Sequence, residues 1–157
     1  MPKKSAGLLL FRLNSEAIEV LLVHPGGPFW RKKDEGAWTI PKGEFSEDEE
    51  PLVAARREFQ EETGSKPPDG NYVPLKPVKQ ANGKVVHGFA VEGEFDPAGL
   101  KSNTFLTEWP PRSLRMQEFP EVDRAEWFTP EVAKRKILAG QVPLIDELLR
   151  RVRSKRA

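Results

Sequence analysis

Glu58, Glu61 and Glu62 fall close together inside one stretch, Pro51 to Thr63, that reads as a helix. Successive helical residues turn by roughly 100°, so the three carboxylates share an arc of about 100°. Leu52, Ala55, Phe59 and Thr63 occupy the adjoining stripe, which gives the helix a face to bury, with the acids along its edge. Like charges at this spacing repel by about a few tenths of a kcal/mol per pair. One reading leaves them solvated, with Arg56 and Arg57 as local neutralisers. The other makes them a hard-cation site. Clustered carboxylate oxygens suit Mg²⁺ or Mn²⁺ rather than zinc, and magnesium shares its ligand sphere with substrate phosphates.

The elements that must position these acids can be read from the chain around them. Proline suits the first helical position, at Pro51, and Gly64 suits the position just past the end, with Pro67 and Pro68 blocking continuation. A rival start capped by Ser46, with Glu49 three residues on, would put Pro51 inside the helix, where its missing amide costs a hydrogen bond. Residues 6–13 and 18–23 are rich in branched apolar residues and read as a hairpin turning at Asn14, Ser15 and Glu16. His24 to Gly36 is a loop. Ala37 to Ile40 is a short strand ended by Pro41, Lys42 and Gly43. Val73 to Gln80 and Val85 to Phe95 read as strands joined at Asn82 and Gly83, a strong hairpin signal. Asp96 to Gly99 is a turn and Ser102 to Trp109 a further strand. Pro110 to Asp123 has neither helical nor strand period and reads as a long loop of the functional kind. Arg124 to Phe128 is a strand, Pro130 to Leu138 a helix closed by Gly140, and Pro143 to Val152 a final amphipathic helix. Hairpins around a central helix, with helices at the end, predict a layered α/β or α+β fold.

At 157 residues the chain fits a single domain, 1–157. It has no cysteine, which excludes disulfides, thiolate zinc sites and a cysteine nucleophile. The apolar run from Ala6 to Phe11 is too short for a bilayer and has no small-residue cleavage site, so the expected location is the cytoplasm. Lysine plus arginine, 25, nearly balance aspartate plus glutamate, 24, so no global charge argues for nucleic acid and neither it nor a membrane is expected as a partner. The basic end, Arg150 to Arg153 with Lys155 and Arg156, reads as a solvated helix end favoured by the macrodipole, with RNA or membrane contact as the alternative.

The register of the central stretch separates the two readings of its acids. Gly43 is followed after five residues by Glu49, then after seven by Arg57, Glu58, Phe59, and then by Glu61, Glu62 and Gly64. This resembles the signature box of the Nudix hydrolases at every charged and glycine position. Ser65 departs from the pattern, since the family usually has an aliphatic residue there. The resemblance extends more loosely to Trp38–Pro41 before the box and to Glu126, Trp127 and Phe128 after it.

That resemblance implies an α/β/α sandwich with a mixed sheet and a central loop–helix–loop catalytic motif. It implies Glu61 and Glu62 as principal metal ligands, and Glu58 as a further ligand or as the base that takes a proton from the attacking water. The backbone carbonyl of Lys42 would complete the shell, and Arg57 with Glu49 would organise the loop and helix ends. A diphosphate repels a nucleophile, so metals must neutralise its oxygens and hold the attack in line, which explains the need for several acids. Family members differ over where the base lies. Glu121, shortly before the Glu126–Trp127 strand, is the downstream candidate for ligand or base, and Glu118 is second choice.

Substrate contacts are expected from the flanking loops. Phe29 and Trp30 beside Arg31 could stack a base and hold phosphate, together with Lys32 and Lys33, and Arg112 and Arg115 could clamp a polyphosphate. Trp38 reads as core, and His24 and His87 as structural. The expected activity is Mg²⁺-dependent hydrolysis, with Mn²⁺ as substitute, of a nucleoside diphosphate linked to another group, with nucleoside triphosphates and dinucleoside polyphosphates foremost. Alternatives are a hydrolase of non-nucleotide pyrophosphates and a non-catalytic module that binds nucleotide or RNA.

Overall fold

The computed structural model describes residues 3–14 and 17–156, the side chains of 154–156 excepted. The hairpin forms as expected and runs longer, with β1 (Lys4–Asn14) antiparallel to β2 (Ala17–Pro25). Ser15 and Glu16, assigned to its turn, lie outside the described residues. The helix α1 occupies Pro51–Thr63 as its sequence signals require. Pro51 opens it, and Gly64 closes it at φ +80° with its amide bonded to the Gln60 carbonyl. A side chain at Gly64 would also collide with the Lys101 carbonyl, 2.5 Å from where a Cβ would lie.

The main sheet is mixed. Around β1 run β6 (Val85–Glu92), parallel to it, and β2, which in turn pairs with β9 (Val122–Phe128). Short β4 (Val73–Pro74) and β5 (Val78–Lys79) line the outer edge of β6. They replace the single strand expected from Val73 to Gln80, because Pro74 and Pro77 have no amide to give to a ladder. The strands alternate between two cores. Leu9, Val20, Leu22, Val86 and Ala90 face α2 (Pro130–Lys136) and α3 (Val142–Arg156) through Ala133, Leu144, Ile145 and Leu148. Ala6, Leu8, Leu10, Leu21, Val23 and Val91 face α1 through Ala54, Ala55 and Phe59. Burial on both faces is what near-continuous apolar strands require. The result is the expected α/β/α sandwich, and Phe59, fully buried, contributes about 2–3 kcal/mol to anchoring α1.

Three local expectations are corrected. Ala37–Ile40 makes only isolated bridges, Thr39 to Val23 and Trp38 to Ile137. The strand there is instead β3 (Lys42–Glu44), antiparallel to the start of β1. Beyond Pro41 the chain can approach β1 because Gly7 has no side chain: a Cβ there would lie 2.4 Å from the Pro41 carbonyl oxygen and 2.6 Å from the Lys42 Cβ. Second, the segment 110–123 is not one loop. β7 (Thr104–Glu108) and β8 (Met116–Pro120) form a separate two-stranded sheet, paired Phe105 to Phe119 and Leu106 to Glu118. Its inner face rests Phe105 on Gly27, while Leu106 and Met116 are exposed on the other, so no polar–apolar alternation marks it. Third, α2 ends at Lys136 rather than Leu138. Ile137 turns extended to bridge Trp38, and a 3-10 turn, Ala139–Gln141, follows.

Candidate active site

The box residues meet where β3 passes the side of α1. The Leu8 amide donates to the Pro41 carbonyl and the Phe45 amide to the Lys4 carbonyl, so strand alternation turns the amide and carbonyl of Lys42 away from β1. The Lys42 amide donates to Glu62 Oε1 at 3.1 Å. The next residue, Gly43, lies against Glu58 so closely that a Cβ would sit 2.0 Å from its carboxylate. That glycine is required by the close approach alone.

Arg57 gathers the remaining acids. Its Nε and Nη2 hold both oxygens of Glu49 at 3.0 and 2.9 Å, the fork geometry that fixes a carboxylate in plane. Its Nη1 reaches Glu58 Oε1 at 2.8 Å and Glu61 Oε2 at 3.3 Å. Glu49 and Arg57 thus tie the loop before the helix to its acidic edge. Burial, with help from neighbouring acids, raises the proton affinity of three of the site's carboxyls, Glu58, Glu62 and Glu121. Burial pushes the Glu62 carboxyl up to about 8, opposed by the Lys42 amide and reinforced by Glu58 and Glu121. Glu58 is raised by burial, against the pull of Arg57 and with the push of Glu61 and Glu121. Glu121 is raised by burial and by Glu61. Four acids from α1 and the approach to β9 therefore feel each other's field, as a set of oxygen donors for a hard cation would. Among the described residues no three acids converge on one point as a finished ligand shell. Their chemistry and the Gly43 cradle fit a divalent cation, with Glu58, Glu61, Glu62 and Glu121 as the residues able to hold it.

A cleft of about 600 Å³ opens beside them, lined by Glu62, Glu121, Lys42, Thr39 and Trp30, with Gln80–Asn82 and Leu138–Gly140 on its walls. Lys42 is largely desolvated there, which lowers its pKa against the pull of Glu62. Trp30 is the expected substrate residue that reaches the cleft, with the Lys33 ammonium 5.0 Å from its ring centre. The loop that carries it is tied down by buried His24, whose ring lies between Asp123 Oδ1 at 2.8 Å and the Lys33 carbonyl at 2.7 Å.

Other expected contacts fall elsewhere. Phe29 is exposed and stands edge-on to Trp109 at 5.5 Å, and Arg31 is exposed outside the cleft lining. Arg112 and Arg115 sit on the exposed connection between β7 and β8, where the Arg112 amide bonds Glu108, and Glu118 is exposed on β8. Pairing of 104–108 with 116–120 carries these three away from the lining of the cleft, which a single long loop would not have done. Trp38 is core, donating to Asp34 Oδ1 at 2.8 Å. Sequence reasoning missed the Lys42 side chain, although its neighbours in the motif pointed to that position. It also missed the walls at 80–82 and 138–140, which no local pattern marks because folding alone brings them together.

Gly43→Ala is expected to cut turnover roughly a hundredfold, the size of effect that a 1 Å misplacement of catalytic groups produces. The added methyl must displace the Glu58 carboxylate, and thermal unfolding should change little because a flexible side chain gives way. Steady-state kinetics beside a melting curve checks both; unchanged turnover would show that Glu58 need not lie against β3.

The NUDIX domain profile matches residues 1–148. No curated protein matches the chain in sequence. Among solved structures, a C. elegans Ap4A hydrolase binary complex superposes with a TM-score of 0.66 at 18% identity, covering 96% of this chain and 98% of that one. The NUDIX domain of Shewanella oneidensis NrtR complexed with ADP ribose gives 0.62 at 18% identity, covering 97% and 89%. A mutT/nudix family protein from Listeria innocua gives 0.64 at 17% identity, covering 99% and 97%. At these identities the likeness is one of fold, and it agrees with the sandwich and its loop–helix–loop. With the profile spanning nearly the whole sequence, the chain belongs to the NUDIX domain family.

Proposed function

We propose that this chain is a divalent-metal-dependent hydrolase that cleaves a phosphoanhydride bond in a nucleoside diphosphate linked to another group. Nucleoside triphosphates and dinucleoside polyphosphates head that class. The observation that carries the reading is the cleft in which Glu62, Glu121 and the Lys42 side chain share walls with Trp30. Carboxylates for a cation, an ammonium for phosphate and an aromatic face for a base are the complement of a nucleotide. When bound, Mg²⁺ would neutralise phosphate oxygens and make water a better nucleophile. Arg57 and Glu49 hold the acidic edge in place, and Lys42 offsets charge on the polyphosphate.

Two acids compete for the attacking water's proton. Glu58 is engaged by Arg57, whereas Glu121 lines the cleft and makes no side-chain hydrogen bond among the described residues. That difference favours Glu121 as the base and leaves Glu58 to orient the ligands. Glu121→Gln should lower turnover by about a hundredfold or more while Mg²⁺ affinity stays close to wild type, since a positioned base contributes about 10²–10⁴. Glu58→Gln should weaken Mg²⁺ affinity as well. The reverse pattern would return the base to Glu58. A phosphate-release screen over nucleoside triphosphates, dinucleoside polyphosphates and non-nucleotide pyrophosphates, with Mg²⁺, Mn²⁺ or chelator, tests the whole reading. Turnover of nucleotides that chelator abolishes is the expected result. Turnover confined to non-nucleotide pyrophosphates would move the substrate class, and none at all would leave a binding module.

A further inference from the structure

Part of the cleft is walled by amides whose orientation the backbone dictates. Gln141 is fully buried, and its Oε1 accepts from the Ile40 amide at 3.1 Å, a donor that cannot be reversed. Its Nε2 must therefore donate, and it does so to Thr39 Oγ1 and to Gln80 Oε1, each at 2.8 Å. Gln80, itself more than nine-tenths buried, is thereby left with Nε2 as its free end, 3.4 Å from Asn82 Oδ1. The same Asn82 oxygen accepts from the Lys84 amide at 2.9 Å, a second donor that cannot be reversed. Backbone N–H groups at both ends thus fix the relay, and none of its three amides can flip to exchange its oxygen for its nitrogen. What remains unspent on Gln80 and Asn82 is N–H: Gln80 Nε2 makes one long bond, and Asn82 Nδ2 makes none among the described residues. Both residues line the cleft that holds Glu62, Glu121 and Trp30. Gly140 allows this arrangement, since a Cβ there would lie 2.9 Å from the Gln80 Cα, so the turn after α2 can press against the β5–β6 turn.

Resting on the nucleotide-hydrolase reading, we propose that the Gln141–Gln80–Asn82 relay reads the ligand's ring. It selects a heterocycle with neighbouring hydrogen-bond acceptors, an oxo group beside a ring nitrogen, over one with an exocyclic amino group at that edge. Guanine presents the first pattern and adenine the second. An amino group there would set donor against donor, leaving it and the buried Gln80 N–H without an acceptor, which is the costly mismatch in recognition.

The test is a comparison of GDP with ADP in Mg²⁺, by titration of intrinsic tryptophan fluorescence, and of GTP with ATP by kcat/KM. The wild type should favour the guanine compound by about tenfold or more, the size of one good paired contact. Asn82→Asp replaces the free N–H₂ with an acceptor oxygen at almost no change in volume, in a turn where Asp-Gly is as well suited as Asn-Gly. It should bring the guanine-to-adenine ratio to near one or invert it, with an unchanged melting temperature. Equal affinities in the wild type, or the same ratio in both proteins, would overturn the proposal even if both triphosphates are hydrolysed. A guanine preference in binding that Asn82→Asp abolishes would support it even if neither triphosphate is turned over, in which case the hydrolase reading alone fails.

Discussion

Glu62→Gln should abolish nearly all turnover, by about three orders of magnitude, or about 4 kcal/mol of transition-state stabilisation. It should nevertheless make the chelated protein more stable in mild base. Glu62 faces the cleft, accepts from the Lys42 amide and has its carboxyl raised strongly by burial. The sign of the stability effect follows from its proton affinity. In the folded chain its carboxyl is pushed up to about 8 from an ordinary 4.5, so the folded state binds the proton more tightly than the unfolded one. Without a cation, the stability that Glu62 contributes is fully present below the ordinary value and is lost as pH rises through about 8. Glutamine does not ionise, so the variant's melting temperature should stay flatter between pH 5 and 8, and at pH 8 should exceed that of the chelated wild type. Mg²⁺ should reverse this order, because a cation that binds only the folded state stabilises the wild type by mass action. Melting curves with chelator and with Mg²⁺ at both pH values check it; parallel curves for the two proteins would mean that Glu62 bears no strained charge.

How far the residues announced themselves depended on how local their reasons were. The box was legible because a helix fixes its own spacing: Pro51, Gly64 and the three glutamates needed only the geometry of one turn after another. The strands β1, β2 and β6 were legible because apolar residues run nearly unbroken through sheet positions buried on both faces. The strand β3 was not, since its pairing depends on the missing side chain of Gly7, far away in sequence, rather than on anything in Lys42–Glu44. The hairpin of β7 and β8 was read partly as loop because one face is exposed and prolines flank it, so burial leaves no period to detect. That misreading moved Arg112, Arg115 and Glu118 toward a site they do not line. The cleft walls from Gln80, Asn82 and Gly140 were hidden for the same reason as β3: their meaning arises only when distant segments pack. Chemistry carried on one helix could be read along the chain, whereas specificity assembled from several turns could not.

The same distinction decides what Arg57 does. Its side chain is 39% exposed, so its ion pairs contribute little to stability, and Arg57→Lys should lower the melting temperature only slightly. Turnover should fall by about a hundredfold, because a lysine is a point charge and cannot hold both oxygens of Glu49 while touching Glu58 and Glu61. Losses of about 10–100-fold follow when groups that orient metal ligands are removed. The Mg²⁺ concentration needed for half-maximal rate should rise, a change that a merely structural residue would not produce. Glu49→Gln should show the same pattern more weakly, since the amide keeps one acceptor oxygen for the guanidinium. If the two residues act as one clamp, the double variant should be about as impaired as Arg57→Lys alone, since the second change removes an interaction already lost. Multiplying effects, or a wild-type rate for Arg57→Lys, would mean that the acids of α1 are held by packing on β3 rather than by the guanidinium, and that Gly43 matters more than the clamp.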